Sequence, residues 1–130
     1  MRILPVFLLI AACSPEPPPA APEQALYAGQ GRDRLCVQGD RAGFVTYGAG
    51  DGNCSARGRL ERSGEAANLR PDGDEDCRIS VTFSGDRVSL GPVKPSCSYY
   101  CGPGATFGGK AFSRSASASP AVDFAGDPLC

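Results

Sequence analysis

The sequence contains no histidine and no tryptophan, and its single methionine is the first residue. Without histidine, the chain cannot form a Ser-His or Cys-His catalytic pair, or a histidine-ligated zinc or haem site. The basic residues are scattered, and none forms a run with interleaved aromatic residues of the kind that binds nucleic acid. We therefore expect no cofactor, no nucleic-acid partner and no enzymatic activity.

Long hydrophobic runs are also missing. The longest apolar segment, residues 3–12, is about ten residues long, whereas a helix needs about twenty to cross a bilayer. It follows a single cation, Arg2, and precedes a proline-rich segment, residues 14–25, without the basic residues that would stop transfer through a membrane. The pattern favours a cleaved signal peptide at residues 1–12 over a transmembrane anchor.

The end of this apolar segment resembles the lipobox of bacterial lipoproteins, with two leucines followed by Ile10, Ala11, Ala12 and Cys13. In that family the cysteine receives a diacylglyceryl group, the preceding peptide is removed, and the new amino group is acylated. The resemblance implies a mature chain that begins at Cys13 and is anchored in a membrane by lipid. Because Ser14 and not Asp comes next, it further implies the outer membrane, facing the periplasm.

The cysteine count agrees with a lipidated Cys13. The chain has seven cysteines, and an odd count in an exported protein leaves one thiol without a partner. An ordinary secretory signal would leave Cys13 as that spare thiol. If Cys13 carries lipid, the remaining six are even in number, as a disulfide framework in an oxidising compartment requires. Those six are Cys36, Cys54, Cys77, Cys97, Cys101 and Cys130.

Six cysteines allow fifteen pairings, and the sequence does not select among them. Our working prediction is that the C-terminal cysteine pins an otherwise loose, small-residue tail to the domain. The predicted pairs are Cys36 with Cys54, Cys77 with Cys97, and Cys101 with Cys130.

After the tether, which is predicted for residues 13–25, residues 26–130 have the composition of one small all-β domain. Gly, Asp and Asn recur about every eight to twelve residues, and the segments between them are too short for helices. We expect a disulfide-stapled antiparallel β-barrel or sandwich of about six to eight short strands. The candidate strands are residues 34–38, 43–48, 55–62, 66–70, 77–83, 87–91, 105–113 and 121–124.

The clearest candidate strand has Ile79, Val81 and Phe83 at alternate positions, which directs them to one face. The Ser-Gly-Asp sequence at 84–86 then turns the chain into the next strand, residues 87–91, so that we expect a hairpin.

The most unusual stretch is residues 97–105, in which Cys97 and Cys101 flank Tyr99 and Tyr100. One interpretation is a disulfide-clamped loop that presents both tyrosines to a partner. The competing interpretation, which we prefer, is that the rings pack over the core and the cysteines only staple the loop.

A second stretch, residues 70–77, is acidic. Asp72, Asp74 and Asp76 match the first half of an EF-hand calcium loop, but the glycine required next is replaced by Cys77, and no flanking helices are predicted. A solvated acidic turn is the favoured interpretation. A metal site or a carboxylate-based hydrolase that uses this cluster is the alternative.

The body of the chain resembles small cysteine-bearing β-domain lipoproteins of proteobacteria. In architecture it is similar to the membrane-bound inhibitors of c-type lysozyme, with Ser84 and Gly85 in place of that family's Ser-Gly turn and Lys94 as the available downstream cation. The resemblance implies a non-catalytic domain that binds a periplasmic or surface partner, one version being a lysozyme-type hydrolase inhibitor. The alternative is a structural or assembly component of the cell envelope.

Overall fold

In a computed structural model, which describes residues 11–15, 23–50 and 52–130, the chain forms a closed antiparallel β-barrel with one short 3-10 helix. Most of the predicted signal peptide and tether, residues 1–10 and 16–22, lies outside the described residues. Within the described ranges, no helix is long and apolar enough to span a bilayer. The strands are β1 (Gln24–Ala28), β2 (Arg34–Gln38), β3 (Arg41–Tyr47), β4 (Asn53–Ser63), β5 (Ala66–Pro71), β6 (Ile79–Ser84), β7 (Arg87–Leu90) and β8 (Ala111–Arg114), and the 3-10 helix η1 is Pro95–Tyr100.

Each strand pairs with its neighbour in the chain, and β1 pairs with β8 to close the barrel. The all-β prediction is confirmed, and of the two predicted architectures the barrel is the one formed. Six predicted strands, from residues 34–38 through residues 87–91, correspond in order to β2–β7. The expected hairpin is formed by β6 and β7, with its turn at Gly85–Asp86.

Three strand predictions differ from the structure. Of residues 105–113, only the end is a strand, because Phe107 enters the barrel core and the chain turns at Gly109, whose φ is 73°. Residues 121–124 contribute only a single bridge, between Val122 and Pro128. β1 was not predicted, and the barrel begins at Gln24, two residues before the predicted start of the domain.

The barrel interior is filled by side chains from alternate strand positions. In β4, Ala56, Gly58 and Leu60 are buried, whereas Arg57 and Arg59 between them are exposed, as period-two alternation requires. The cavity among the apolar residues inside the barrel measures about 10 Å³, which is too small for a ligand. The larger grooves described below open on the outer surface of the barrel.

The six cysteines after the tether form three disulfides, and the described part of the chain leaves Cys13 free and exposed. The prediction that these six cysteines form disulfides among themselves is thereby confirmed, as is the predicted Cys77–Cys97 pair. The other two predicted pairs are wrong, since the observed disulfides are Cys36–Cys130 and Cys54–Cys101. Cys36 faces the outside of the barrel wall and Cys54 faces the interior, so they cannot reach each other.

The C-terminal segment, residues 115–130, returns over the outside of the barrel. It forms a second apolar cluster with Cys36 and Val45, to which it contributes Ala121 and Leu129. A Cβ atom at Gly43 would lie 2.6 Å from the carbonyl oxygen of Leu129, so only glycine lets this segment pass so closely. As predicted, the C-terminal cysteine attaches this segment to the domain, but Cys130 is bonded to Cys36 and not to Cys101.

The up-and-down order of the strands gives the barrel two distinct ends. The tether end carries the start of β1 at Gln24 and the hairpin turns that follow β2, β4 and β6. The far end carries the connections that follow β1, β3, β5 and β7, including the acidic turn at 72–78 and helix η1. The segment that leads to Cys13 therefore enters at the end of the barrel opposite to η1.

Candidate functional site

Helix η1 is held between two disulfides at the far end. Cys97 within the helix is bonded to Cys77, and Cys101 directly after it is bonded to Cys54 in β4. Pro95 begins the helix, and its carbonyl accepts a hydrogen bond from the Ser98 hydroxyl at 3.0 Å. These bonds attach a 3-10 helix of two turns, too short to be stable alone, to two parts of the barrel.

The two tyrosines of η1 have different environments. Tyr100 is half-buried and packs against the barrel core, and its hydroxyl donates a hydrogen bond to Asp74 Oδ2 at 2.7 Å. Tyr99 is 88 % exposed, and its ring meets that of Tyr100 edge to face at 5.3 Å. The packing interpretation therefore applies to Tyr100, while Tyr99 remains available to a partner.

The acidic turn is organised by hydrogen bonds around Asp74. Asp74 Oδ1 accepts the backbone N–H groups of Asp76 and Cys77 at 2.9 and 3.1 Å. The Tyr100 hydroxyl and then these backbone groups lower the pKa of the Asp74 carboxyl. The turn and the tyrosine loop, which were separate features in the sequence, form one structural unit.

Asp72 forms an ion pair with Arg41. Both terminal nitrogens of Arg41 donate hydrogen bonds to the Asp72 carboxylate, Nη1 to Oδ1 at 2.8 Å and Nη2 to Oδ2. This contact lowers the pKa of the Asp72 carboxyl. Within the described ranges, no three metal-ligating side chains lie together, and Asp72, Asp74 and Asp76 do not converge on one point. A lowered pKa favours the ionised form, which does not suit the proton-donating acid of a carboxylate hydrolase.

We expect the Tyr100→Phe variant to lose less stability than the wild-type protein when the pH is lowered. Folding lowers the pKa of the Asp74 carboxyl from its ordinary value of 3.8. The ionised carboxylate therefore stabilises the fold fully above pH 3.8, and this stabilisation is lost as the pH falls through the lowered pKa of the folded state. The variant lacks the largest cause of the shift, so its free energy of unfolding should fall less between about pH 7 and pH 2. Urea unfolding at both pH values measures this.

The matched control is Tyr99→Phe, because the Tyr99 hydroxyl has no hydrogen-bond partner among the described residues. Its pH dependence should equal that of the wild-type protein. If Tyr100→Phe behaved in the same way as this control, the role given to the Tyr100–Asp74 bond would be contradicted.

A groove of about 460 Å³ runs beside η1, between the helix and the C-terminal segment. Its lining includes Tyr99 and Tyr100 of η1, Asp123 of the C-terminal segment, and Arg57 and Asp72. Phe124, next to Asp123, is 76 % exposed and is the second large hydrophobic side chain of the described residues that faces solvent.

Phe124 stands on a tight turn that sequence reasoning did not single out. Asp123 Oδ1 accepts the backbone N–H groups of Ala125 and Asp127 at 2.9 Å each, and Gly126 has a φ of 86°. The local signal was the Asp-Phe-Ala-Gly-Asp sequence, in which Asp and Gly favour such a turn. We call residues 121–129 the C-terminal hairpin.

A neighbouring groove of about 510 Å³ crosses the outside of β3, β4 and β5. Three arginines occupy paired positions on these strands, and each has a carboxylate partner. The pairs are Arg41 with Asp72, Arg59 with Asp40 at 3.7 Å, and Arg70 with Glu61 at 2.9 Å. The lining also includes Asp74 and Glu75, so its carboxylates outnumber its three arginines by one. Exposed ion pairs of this kind contribute little stability.

The residues compared with the lysozyme-inhibitor family do not come together. Ser84 ends β6 and Gly85 lies in the turn before β7, at the tether end, whereas Lys94 follows β7 and directly precedes η1 at the far end. The strand β7 lies between the two positions in the chain, and inhibition of a lysozyme stays a prediction.

Compared with protein-family models, curated proteins and solved structures, the chain matches none.

Proposed function

We propose that the protein is a lipid-anchored lipoprotein of the bacterial envelope whose barrel binds a protein partner at its far end. Cys13 supports the anchor, because it is exposed and unpaired while the other six cysteines pair with one another. The lipobox-like sequence before it supports the same assignment. An outer-membrane location facing the periplasm is part of this proposal and rests on Ser14.

The observation that carries the binding proposal is the exposed ring of Tyr99 on a helix that two disulfides hold in place. A tyrosine held in one position loses little conformational entropy when a partner covers it, and tyrosine is enriched where binding energy concentrates. The ring lies at the end of the barrel opposite to Gln24, where the segment that follows Cys13 joins the barrel.

The anchor predicts a specific modification. The mature protein, purified from the membranes of cells that make it, should begin at Cys13 and carry the mass of a diacylglyceryl group and an amide-linked acyl chain. Mass spectrometry of the N-terminal peptide measures both. In Cys13→Ala, the protein should move from the membrane fraction to the soluble fraction. An unmodified N-terminus, or a start at another residue, would contradict the anchor.

The inhibitor version of the proposal is tested by titrating the purified protein into a c-type lysozyme assay. Inhibition at micromolar concentration that is lost in Tyr99→Ala would support a hydrolase as the partner. No inhibition would remove this version while leaving the binding proposal in place. If affinity purification through the lipidated protein instead recovers envelope-assembly components, the partner belongs to the alternative class, a structural or assembly role.

A further inference from the structure

A pocket of about 350 Å³ lies between the turn that joins β1 to β2 and the outer side of β7 and β8. Its lining shares no residue with either groove described above. The lining residues are Gln30, Asp33, Arg87, Gly109, Lys110 and Ala111. The volume is at the lower end of the range for small-molecule sites, so a small polar molecule fits it better than a protein loop.

Asp33 is a buried carboxylate with one unpartnered oxygen. It is only 4 % exposed, and its Oδ1 atom accepts the backbone N–H of Tyr47 at 2.9 Å. Among the described residues, Asp33 has no ion pair and Oδ2 has no hydrogen-bond partner. Thr46 Oγ1 is the one fully buried side-chain polar atom without a partner in this part of the chain, so Oδ2 still reaches the pocket. A buried carboxylate is costly unless a positive group accompanies it.

The same pocket contains two cations that lack carboxylate partners. In the part of the chain that the structure describes, the side chains of Arg87 and Lys110 form no ion pair and no hydrogen bond. The lining therefore has two cations to one carboxylate, that of Asp33. An occupant that satisfies all three groups must carry both a positive donor and anionic groups.

The backbone forms the pocket before any ligand binds. On one side, the Gly29 N–H donates a hydrogen bond to the Asp33 carbonyl at 2.9 Å, which closes the turn. A Cβ atom at Gly29 would lie 2.9 Å from the Asp33 Cβ and 3.2 Å from the Ala111 carbonyl oxygen, so glycine lets the turn lie against β8. On the other side, the Lys110 N–H donates to the Phe107 carbonyl at 3.1 Å. Binding then has to order little more than two long side chains.

We propose that this pocket binds a small acidic α-amino acid, with its ammonium group at Asp33 Oδ2 and its carboxylates at Arg87 and Lys110. Such a molecule carries one ammonium and two carboxylates, so its charges match those of the lining one to one. Hydrogen bonds between ionised groups are about twice as strong as neutral ones, which allows a small ligand to be held by few contacts. This site is separate from the far-end surface and does not depend on the partner proposed there.

The test is calorimetric titration of the full chain, in neutral detergent, with L-glutamate as the probe. We expect a dissociation constant of about 1 mM or lower, and binding that weakens with added salt because the cations are partly exposed. Glutarate lacks the ammonium group of glutamate, and 4-aminobutyrate lacks its α-carboxylate. Each should bind at least about tenfold more weakly, since each loses one contact between charged groups.

Two variants connect the binding to the lining. Asp33→Asn keeps an acceptor for the Tyr47 N–H but removes the charge, so it should weaken glutamate binding about tenfold and leave glutarate binding no weaker. Lys110→Met should also weaken glutamate binding about tenfold, whereas its matched control Lys94→Met, outside the pocket, should leave it unchanged. Urea unfolding of each variant shows whether the barrel is retained. If Asp33→Asn does not fold, Lys110→Met and its control decide the matter.

Several results would overturn the inference. They are no binding of glutamate at about 10 mM, equal binding of glutarate, and glutamate binding that Lys110→Met leaves unchanged. Tighter binding of glycerophosphoethanolamine, which joins an ammonium to a phosphate, would overturn the amino acid in favour of a lipid headgroup. Recovery of a protein partner at the far end is a separate result, so failure of either proposal leaves the other standing.

Discussion

Replacing Cys54 and Cys101 together by alanine is expected to lower the free energy of unfolding by about 4 kcal/mol. The disulfide joins residues 47 positions apart, and a loop of that length strongly restricts the unfolded chain. Cys54 is also fully buried and belongs to the main core cluster. The loss should be large because a small barrel has a limited core and depends on such links for stability. Urea unfolding under non-reducing conditions measures it.

Cys13→Ala is the matched control for this experiment, because it removes a cysteine that has no disulfide partner in the described ranges. Its free energy of unfolding should equal that of the wild-type protein. If the double variant lost less than about 1 kcal/mol, the contribution assigned to the Cys54–Cys101 link would be wrong.

Phe107→Ala is expected to lower the free energy of unfolding by about 3–5 kcal/mol. Phe107 lies in the connection between β7 and β8, yet it is fully buried, and its ring meets that of Phe44 edge to face at 5.1 Å. Truncation would leave a cavity in a barrel whose interior is otherwise filled, and it would also remove the aromatic contact.

Phe124→Ala makes the same chemical change on the surface, where the side chain is 76 % exposed. It should alter the free energy of unfolding by less than about 0.5 kcal/mol. Thermal and urea unfolding of the two variants, measured side by side, test the core assignment. Similar small losses in both would show that Phe107 does not fill the barrel interior.

The recurrence of Gly, Asp and Asn between short segments predicted six of the strands. Alternation of apolar and polar residues, which directs successive side chains of a half-buried strand to opposite faces, marked the clearest of them. The same rule could have excluded the Cys36–Cys54 pair. Leu35 and Val37 face inward, so Cys36 between them faces outward, whereas Cys54 shares the inward face of Leu60. The pairing prediction used the position of Cys130 at the chain end and did not use this parity.

Other features depend on contacts between distant parts of the chain. The Tyr100–Asp74 bond joins residues 26 positions apart, and nothing local in either segment indicates the other. β1 was missed because it follows directly on the proline-rich segment and gains its stability from pairing with β2 and β8. Phe124 was placed in a strand, although the turn around it is formed by local hydrogen bonds to Asp123 and the Asp-Phe-Ala-Gly-Asp sequence could have indicated it.

The most direct test of the account is photocrosslinking in the cells that make the protein, with a photoreactive phenylalanine analogue at position 99 or at position 65. Position 99 lies on η1 at the far end, and position 65 is an exposed turn residue at the tether end. We predict a discrete crosslinked protein from position 99 and none from position 65. Crosslinking from position 65 alone, or from neither position, would contradict the claim that the far end of the barrel binds the partner.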